Sequence, residues 1–358
     1  MKNILLSSAA IVALAGAASA EVTFGGDATL GYNDDVKDAA GVSNFYVDAG
    51  LDVALSAELN NGWTAGATFS ADFDDLTEDT DPTIDTDFTV YIESDMGGLY
   101  YGEYSSAVDQ LISSPEGLTD GMYDFDDDDI GEDGEQLVLK GNFGSIQAAA
   151  STVVIDNSLG GGTDGSTFAI TGDFGNFSLG FGYVEGYTGL GGGDIGFGGV
   201  ADSIALTVAT SFGGADVNFG IADAEGDTNY GIEVGYPVGP VALSVWFADG
   251  DQDRVMGLKG VYEDGPISVT AEVEDVDDGS DTTYSLEGTY DMGNGLLIGA
   301  GHVSDAGSYI GASYDLGGGA TFLASYGDAD TAGDDEISDT YGDFEVQDGI
   351  TLEVSLSF

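Results

Sequence analysis

Residues 350–358 read Ile-Thr-Leu-Glu-Val-Ser-Leu-Ser-Phe, an unbroken alternation of apolar and polar side chains that stops on an aromatic residue. In a β-strand, successive side chains point to opposite faces, so this segment has one apolar face and one polar face. Such a strand needs an apolar medium on one side and water on the other. After a secretory leader, this pattern predicts an all-β fold, a closed transmembrane antiparallel β-barrel in an outer membrane.

The N-terminus has the pattern of a cleaved secretory signal peptide. Lys2 supplies the positive start, an apolar stretch follows, and residues 18–20 form a small-residue cleavage site. The apolar run is too short for a membrane-spanning helix. We therefore assign residues 1–20 to the leader and residues 21–358 to the barrel domain. The alternative is a buried N-terminal helix.

Composition excludes several classes of protein. The chain carries 66 acidic and 5 basic residues, a formal net charge of −61, so it is not expected to bind nucleic acid, whose phosphates need Lys and Arg. Its 42% hydrophobic and 11% aromatic residues argue against disorder. The chain has no cysteine, which excludes disulfides and thiolate sites. The acidic side chains must therefore lie where water and counter-ions reach them.

Short turns join alternating segments along the chain. Residues 45–59 place apolar side chains at odd positions, and Asn-Asn-Gly at residues 60–62 is typical of a hairpin turn. Four later turns share a Tyr-x-x-Gly pattern, with tyrosines at Tyr236, Tyr262, Tyr290 and Tyr314. A tyrosine beside a turn suits an aromatic girdle, with its ring in lipid and its hydroxyl in water. The alternative is four ordinary turns.

Counting turns sets limits on the number of strands. Nine tight turns give eighteen paired strands, and two terminal strands would make twenty. This number is high for the chain length, because a tilted spanning strand needs ~9–11 residues. Between sixteen and twenty strands are expected, and the turn count itself allows 18–20.

Several segments together resemble a known family. The leader, residues 21–28, the turn at residues 314–319 and the terminal Phe358 are similar to those of general diffusion porins of Gram-negative bacteria. The closest likeness is to porins of alphaproteobacteria such as the photosynthetic purple bacteria, and it covers essentially the whole mature chain. This resemblance implies a sixteen-stranded barrel, a homotrimer and an outer-membrane location. It also implies that Phe358 is a membrane assembly signal for the barrel-assembly machinery.

Residues 105–135 form the longest stretch between clear strands. In porins, the loop after the fifth strand folds inward and narrows the channel, and the resemblance implies that role here. A loop of this length can also be disordered, but Leu111, Leu118 and Phe125 give it apolar groups that can pack. The acidic residues that we assign to this constriction are Asp109, Glu116, Asp120, Asp124, Asp126 and Asp127.

Basic residues are scarce where the family has many. Family porins place an arginine cluster on the wall that faces the loop. The basic residues after the leader are Lys37, Lys140, Arg254 and Lys259. The cluster is therefore missing or reduced to one or two members. Lys140 shares a strand face with Gln136 and Val138, so it is the best candidate for a wall residue of the constriction.

Polar strand faces add carboxylates to the predicted inner wall, at Asp48, Asp52, Glu58, Glu93, Glu272 and Glu353. Rings of carboxylates favour cations, whereas anion pores need rings of Arg or Lys. A low-dielectric wall focuses that field. The sequence therefore predicts a water-filled pore for passive diffusion of small hydrophilic solutes, with a preference for cations. In the alternative interpretation, the acidic residues only solubilise loops in a saline habitat.

Cofactors and catalysis find little support. The run Asp126, Asp127, Asp128 and Asp129 offers the hard oxygens that calcium takes, so weak calcium binding is expected there and no other cofactor. The chain has one histidine, His302, with Ser304 nearby but no identifiable third group to orient them, so an enzyme is not expected.

Two functions other than a diffusion pore stay open. A sugar-specific channel would use aromatic residues such as Tyr46, Tyr91 and Trp246, and a structural or adhesive barrel would not conduct.

Overall fold

A computed structural model describes residues 20–34, 45–74, 83–116, 118, 134–155, 162–186, 202–224, 226–250, 254–277, 282–304, 306–329, 336–338 and 346–358. The first strands are β1 (Ala20–Asn33), β2 (Phe45–Glu58), β3 (Thr64–Asp74), β4 (Thr83–Ser94), β5 (Gly97–Gly102), β6 (Gly134–Phe143), β7 (Ile146–Ile155), β8 (Gly162–Phe174), β9 (Phe177–Glu185), β10 (Ser203–Phe212) and β11 (Ala215–Ala224). A short helix, α1 (Ala107–Leu111), lies between β5 and β6.

The remaining strands are β12 (Asp227–Val238), β13 (Val241–Gly250), β14 (Val255–Asp264), β15 (Ile267–Val276), β16 (Thr283–Asp291), β17 (Leu296–Val303), β18 (Gly307–Gly317), β19 (Ala320–Ala329), β20 (Glu336–Ser338), β21 (Val346–Gln347) and β22 (Gly349–Ser357). β20 and β21 form a separate two-stranded sheet. Among the described residues, no helix combines the length and the hydropathy needed to cross a bilayer.

Twenty strands form one closed antiparallel ring. β1 to β19 pair in chain order, and β22 pairs with both β19 and β1. The closing register joins Leu30 to Val354 and Asp27 to Ser357. The count is the upper limit that the turns allow, because each of the nine tight turns joins two strands of the ring. The sixteen strands that the resemblance implies are therefore wrong for this chain.

The two faces of the ring differ as the alternation of residues 350–358 predicts. Leu30, Leu51 and Leu352 stand on the outer face with 55%, 47% and 43% of their surface exposed. Thr351 and Glu353 face inward and are buried. An apolar outside and a polar inside match a barrel that stands in lipid around a water-filled lumen.

The nine tight turns and the Phe358 end lie at one rim. The predicted girdle residues Tyr236, Tyr290 and Tyr314 stand there on the outer face, exposed. Tyr284 and Tyr326 stand on the same face near the other rim, also exposed. Six residues separate Tyr284 from Tyr290 along β16, which is ~20 Å of strand. Aromatic side chains therefore border the apolar outer band near both rims, as in other barrels of this kind.

Large aromatic side chains lie flat against the inner wall over glycines. Trp246 of β13 pairs in register with Gly257 of β14, which pairs with Glu274 of β15. The Trp246 Nε1 donates to Glu274 Oε2 at 2.8 Å. The same arrangement occurs twice more. The Tyr46 hydroxyl donates to Glu353 Oε2 at 2.5 Å across Gly31, which lies between them in register. The Tyr309 hydroxyl donates to Glu287 Oε2 at 2.6 Å across Gly301.

These three sets are called the aromatic–glycine–glutamate triads. Each needs a glycine, because a Cβ at Gly31 or Gly257 would overlap the ring above it. Each triad also satisfies the donor of a large aromatic group inside the barrel, where an unpaired donor costs stability. A triad spans three neighbouring strands, so it fixes their relative register.

Candidate functional site

The segment between β5 and β6 folds into the barrel. β5 ends at Gly102 and β6 begins at Gly134, so the last two residues of the predicted loop, Gly134 and Glu135, belong to β6. They belong there because they pair with Ile155 and Val154 of β7. The described part of the loop, residues 103–116 and 118, contacts the inner faces of several strands between β6 and β12. It therefore extends along the lumen side of seven of the twenty strands of the ring.

Helix α1 is fixed by local and distant hydrogen bonds. Ser106 Oγ accepts from Asp109 N at 3.3 Å, and Asp109 Oδ2 accepts from Ser106 N at 3.0 Å, a complete capping box. The Ala107 N–H donates to both Ser151 Oγ (3.1 Å) and Thr167 Oγ1 (3.0 Å) on β7 and β8. Asp109, which the sequence assigns to the constriction, therefore has its carboxylate engaged in capping α1.

Glycines on the inner wall make room for the loop. A Cβ at Gly182 of β9 would lie 3.2 Å from Ile112. A Cβ at Gly220 of β11 would lie 2.8 Å from Pro115 and 2.7 Å from Leu118. We call Gly180, Gly182, Gly220 and Gly231 the glycine seat. Because these strands lack side chains there, the loop packs directly on the backbone of the wall.

The bonds from Ala107 predict how a loosened loop behaves. In a Ser151→Ala, Thr167→Val variant the buried Ala107 N–H loses both acceptors, which costs about 1–3 kcal/mol. We expect more frequent transient closures and a noisier open-channel current in single-channel recordings. Thr68→Val, on the lumen side of β3, is the matched control and should record like the parent. Equal noise in both variants would contradict this role of the two hydroxyls.

The far end of the loop meets an acidic part of the wall. The Glu116 N–H points to Glu233 Oε2 at 3.5 Å. Partial burial and the neighbouring Glu233 carboxylate raise the pKa of Glu116 above its usual range, and Lys259 opposes this shift. Lys259 Nζ forms an ion pair with Glu272 Oε2 at 2.8 Å. We call Glu116, Glu233, Glu272, Glu274 and Lys259 the acidic cluster.

Lys140 faces the lumen, as its strand face predicts, and it lies where the loop begins. It projects into the lumen from β6, where its Nζ donates to the Tyr104 hydroxyl at 2.7 Å. The ammonium stands 4.8 Å from the Tyr100 ring centroid and 4.5 Å from that of Tyr104. These contacts hold Lys140 at the root of the loop. The lysine near the loop's far end is Lys259 instead.

Sequence reasoning missed three members of the acidic cluster, Glu233, Glu274 and Lys259, and two of them can be compared by their sequence signals. Glu233 lies between Ile232 and Val234 in a clear alternation, so its inward direction could have been predicted. Lys259 shares its strand face with apolar neighbours such as Val255, so no polar face marked it. Only the register with β15, which places it beside Glu272, identifies it.

The other predicted wall carboxylates, Asp48, Asp52, Glu58, Glu93, Glu272 and Glu353, lie on the inner faces of their strands. Glu93 accepts from the Tyr100 hydroxyl at 2.6 Å. Four predicted constriction residues, Asp120, Asp124, Asp126 and Asp127, lie outside the described residues. Asp128, Asp129 and residues 1–19 of the predicted leader lie outside them too. The structure therefore brings Glu116 to the wall but does not bring Asp109 or Lys140 to the same place.

His302 lies on the outer face of the barrel. Its Nδ1 is 2.9 Å from Ser308 Oγ and its Nε2 is 3.4 Å from the Tyr284 hydroxyl. Ser304, the serine that the sequence places near it, uses its hydroxyl to accept from Tyr284 N at 2.7 Å. Within the described ranges, no group of three or more His, Asp or Glu residues is arranged to hold a metal ion.

Comparison with known proteins finds one protein family and several solved porin structures. A family model described as Gram-negative porin matches residues 7–334. A triple mutant of the porin from Rh. blastica is 14% identical, with a TM-score of 0.44, and the match covers 95% of this chain and all of that one. A second triple mutant, of Rhodopseudomonas blastica porin, is 14% identical, with a TM-score of 0.43 and 95% of this chain covered. No curated protein matches the chain significantly.

Proposed function

The chain belongs to the Gram-negative porin family, and we propose that this outer-membrane channel passes small hydrophilic solutes by passive diffusion and prefers cations. The observation that carries the cation preference is the acidic cluster beside the inward loop. Glu116, Glu233 and Glu272 meet there with one lysine, Lys259, which is ion-paired. Family membership also supports a channel rather than an enzyme.

Charge along the rest of the wall supports the same preference. Inward carboxylates on other strands include Asp27, Asp52, Asp87, Glu93 and Asp216. Within the described strands, the lysines that face the lumen are Lys140 and Lys259. A polar lumen enclosed by a low-dielectric wall concentrates the field of such charges. Cations therefore accumulate in the lumen and anions are depleted.

Reversal potentials in planar bilayers test this proposal. Under a KCl gradient, purified protein should give a reversal potential of cationic sign. The preference should weaken from 0.1 M to 1 M salt, since the Debye length falls from ~10 Å to ~3 Å. A reversal potential of anionic sign, or a protein that never conducts, would overturn the proposal. The second outcome is what a structural or adhesive barrel predicts.

A sugar-specific channel remains a second candidate on one observation. Tyr91, Tyr100 and Tyr104 stack along the inner wall, with ring centroids 6.1 Å and 4.8 Å apart. Tyr46 and Trp246, which the sequence offered for such a path, instead belong to the triads. Liposome swelling separates the two functions. A diffusion pore should admit isomeric sugars at equal rates that fall with size, and a sugar channel should favour one isomer.

Three further features belong to the proposal. We infer a homotrimer, as the family resemblance implies, and delivery of the chain by a cleaved leader to the barrel-assembly machinery. Phe358 is available for that recognition, because its side chain is 66% exposed while its N–H donates to Gly26 O at 2.8 Å. Weak calcium binding at Asp126, Asp127, Asp128 and Asp129 stays a prediction.

The pKa of Glu116 predicts how selectivity responds to pH. A raised pKa means that Glu116 takes up a proton, and loses its negative charge, at a higher pH than an ordinary glutamate. As pH falls, cation selectivity should therefore begin to decline at a higher pH than an ordinary glutamate would give. Glu116→Gln should lack this early phase and start from a lower selectivity at neutral pH. Reversal potentials measured over a pH series in both proteins provide the check, and identical profiles would contradict it.

A further inference from the structure

A polar cavity lies on the inner wall below the loop, on the side of the tight turns. It encloses about 450 Å³. The lining residues that matter here are Asp216, Asn218, Glu233, Gly235 and Ser244 of three consecutive strands, β11 to β13. Its upper edge meets the loop, because Asn218 Nδ2 donates to Ser113 O at 3.4 Å and Glu233 faces the Glu116 N–H. A solute that passes the loop therefore encounters this cavity next.

The cavity exists because one glycine interrupts the wall. Gly235 of β12 pairs with Asp216 on one side and Ser244 on the other. A Cβ at Gly235 would meet no atom closer than 3.9 Å, at Asp216 and Ser244. Its backbone is not in the left-handed region, so other residues could occupy the position. The missing side chain thus leaves a hollow that a substitution can fill without backbone strain.

Two carboxylates, those of Asp216 and Glu233, are the charged groups that line the cavity. Asp216 and Glu233 stand diagonally across β11 and β12, a spacing of ~7–8 Å. Asn218 Oδ1 is buried and has no hydrogen-bond partner among the described residues. Among the residues that the structure describes, no lysine or arginine lines the cavity. The nearest, Lys259, pairs in register with Ser244 but is bonded to Glu272 on the far side.

We propose that this cavity is a binding subsite for small organic cations with two primary ammonium groups. Two carboxylates at this spacing can each accept from one ammonium, and the ammonium group is a donor without acceptor capacity. The Ser211 hydroxyl donates to Asp216 Oδ1 at 2.5 Å, which leaves Asp216 Oδ2 for an ammonium group. The oxygens of Ser211 and Ser244 can accept further N–H bonds. The inference deepens the proposed function, on which it rests, from a general preference for cations to a site that retains one class of them.

Single-channel current in the presence of 1,4-diaminobutane tests the subsite. The parent protein should show concentration-dependent blocking events when the diamine is added from the loop side. In Asp216→Asn, Glu233→Gln the blocking affinity should fall about tenfold or more, since hydrogen bonds to charged groups are worth ~1.5–3 kcal/mol. Gly235→Val, which fills the hollow without altering charge, should weaken the block to a similar extent. Asp95→Asn, at an exposed site on the tight-turn rim, is the control and should leave the block unchanged.

The outcomes separate the subsite from the channel. No block of the parent protein, or an equal block in Gly235→Val, overturns the subsite. An equal block by a neutral hexitol overturns the assignment to ammonium groups. A KCl reversal potential measured on the same bilayers reports cation preference separately. A cationic potential without diamine block therefore rejects the subsite alone, and an anionic potential rejects the proposed function.

Discussion

Replacing Glu116 and Glu233 with arginine and Glu272 with glutamine is expected to change the channel from cation-preferring to anion-preferring. The exchange removes three carboxylates of the acidic cluster, adds two guanidinium groups and releases Lys259 from its ion pair. Rings of positive charge on the wall of a pore select anions. The sign of the reversal potential under a KCl gradient should invert, which is the largest effect on selectivity that this structure predicts.

A charge-matched variant shows whether position or total charge is responsible. Asp95→Arg, Asp264→Arg and Glu263→Gln change the net charge by the same amount at exposed sites on the tight-turn rim. These sites are open to solvent, where salt screens their field. We expect this variant to stay cation-preferring. If it shifts the reversal potential as far as the acidic-cluster variant does, the acidic residues act through overall charge and the cluster is not the selective element.

Gly257→Val is expected to prevent folding of the barrel. A Cβ at Gly257 would overlap the Trp246 ring, and that ring cannot swing away without breaking its bond to Glu274. Overpacking of this kind costs typically ~1–3 kcal/mol, and a buried unpaired donor and carboxylate add a similar amount. Both free-energy costs apply at a triad that fixes the relative register of β13, β14 and β15. The refolded protein should lose the heat-dependent mobility shift on SDS gels that reports a closed barrel.

Gly260→Val on the same strand is the matched control. Gly260 is on the outer face, and its added Cβ would have ordinary contacts, 3.4 Å from Leu243 and 4.0 Å from Val241. It should therefore fold like the parent protein. Trp246→Ala combined with Gly257→Val should recover folding, because the ring that causes the overlap is gone. Normal folding of Gly257→Val alone would show that the triad does not constrain the wall.

Much of the barrel could be predicted from local sequence. The alternation over residues 45–59 corresponds to β2 (Phe45–Glu58), because a strand between lipid and water must sort its side chains by face. The Tyr-x-x-Gly turns were equally readable, since glycines such as Gly239, Gly265 and Gly293 adopt positive φ there. The number of strands followed from these turns and not from the family.

The candidate site depends on contacts that local sequence does not contain. Helix α1 has five residues, too few for a helical period to appear, and it is held by hydroxyls on β7 and β8. The glycine seat comes from β9, β11 and β12, far from the loop in sequence. The sequence predicts Asp109 as a carboxylate of the constriction, but its carboxylate caps helix α1. Long-range register decides each of these cases.

The closure of β1 on β22 limits how copies of this protein can associate. Each of the twenty strands already has two hydrogen-bonded neighbours, so a second copy cannot lengthen the sheet by adding its own strand. Contacts between copies in a membrane must instead come from side chains on the lipid face, through shape and dispersion forces. Within the bilayer, the choice of partner therefore depends on the outward-facing residues of the described strands, and those residues can change without altering the lumen.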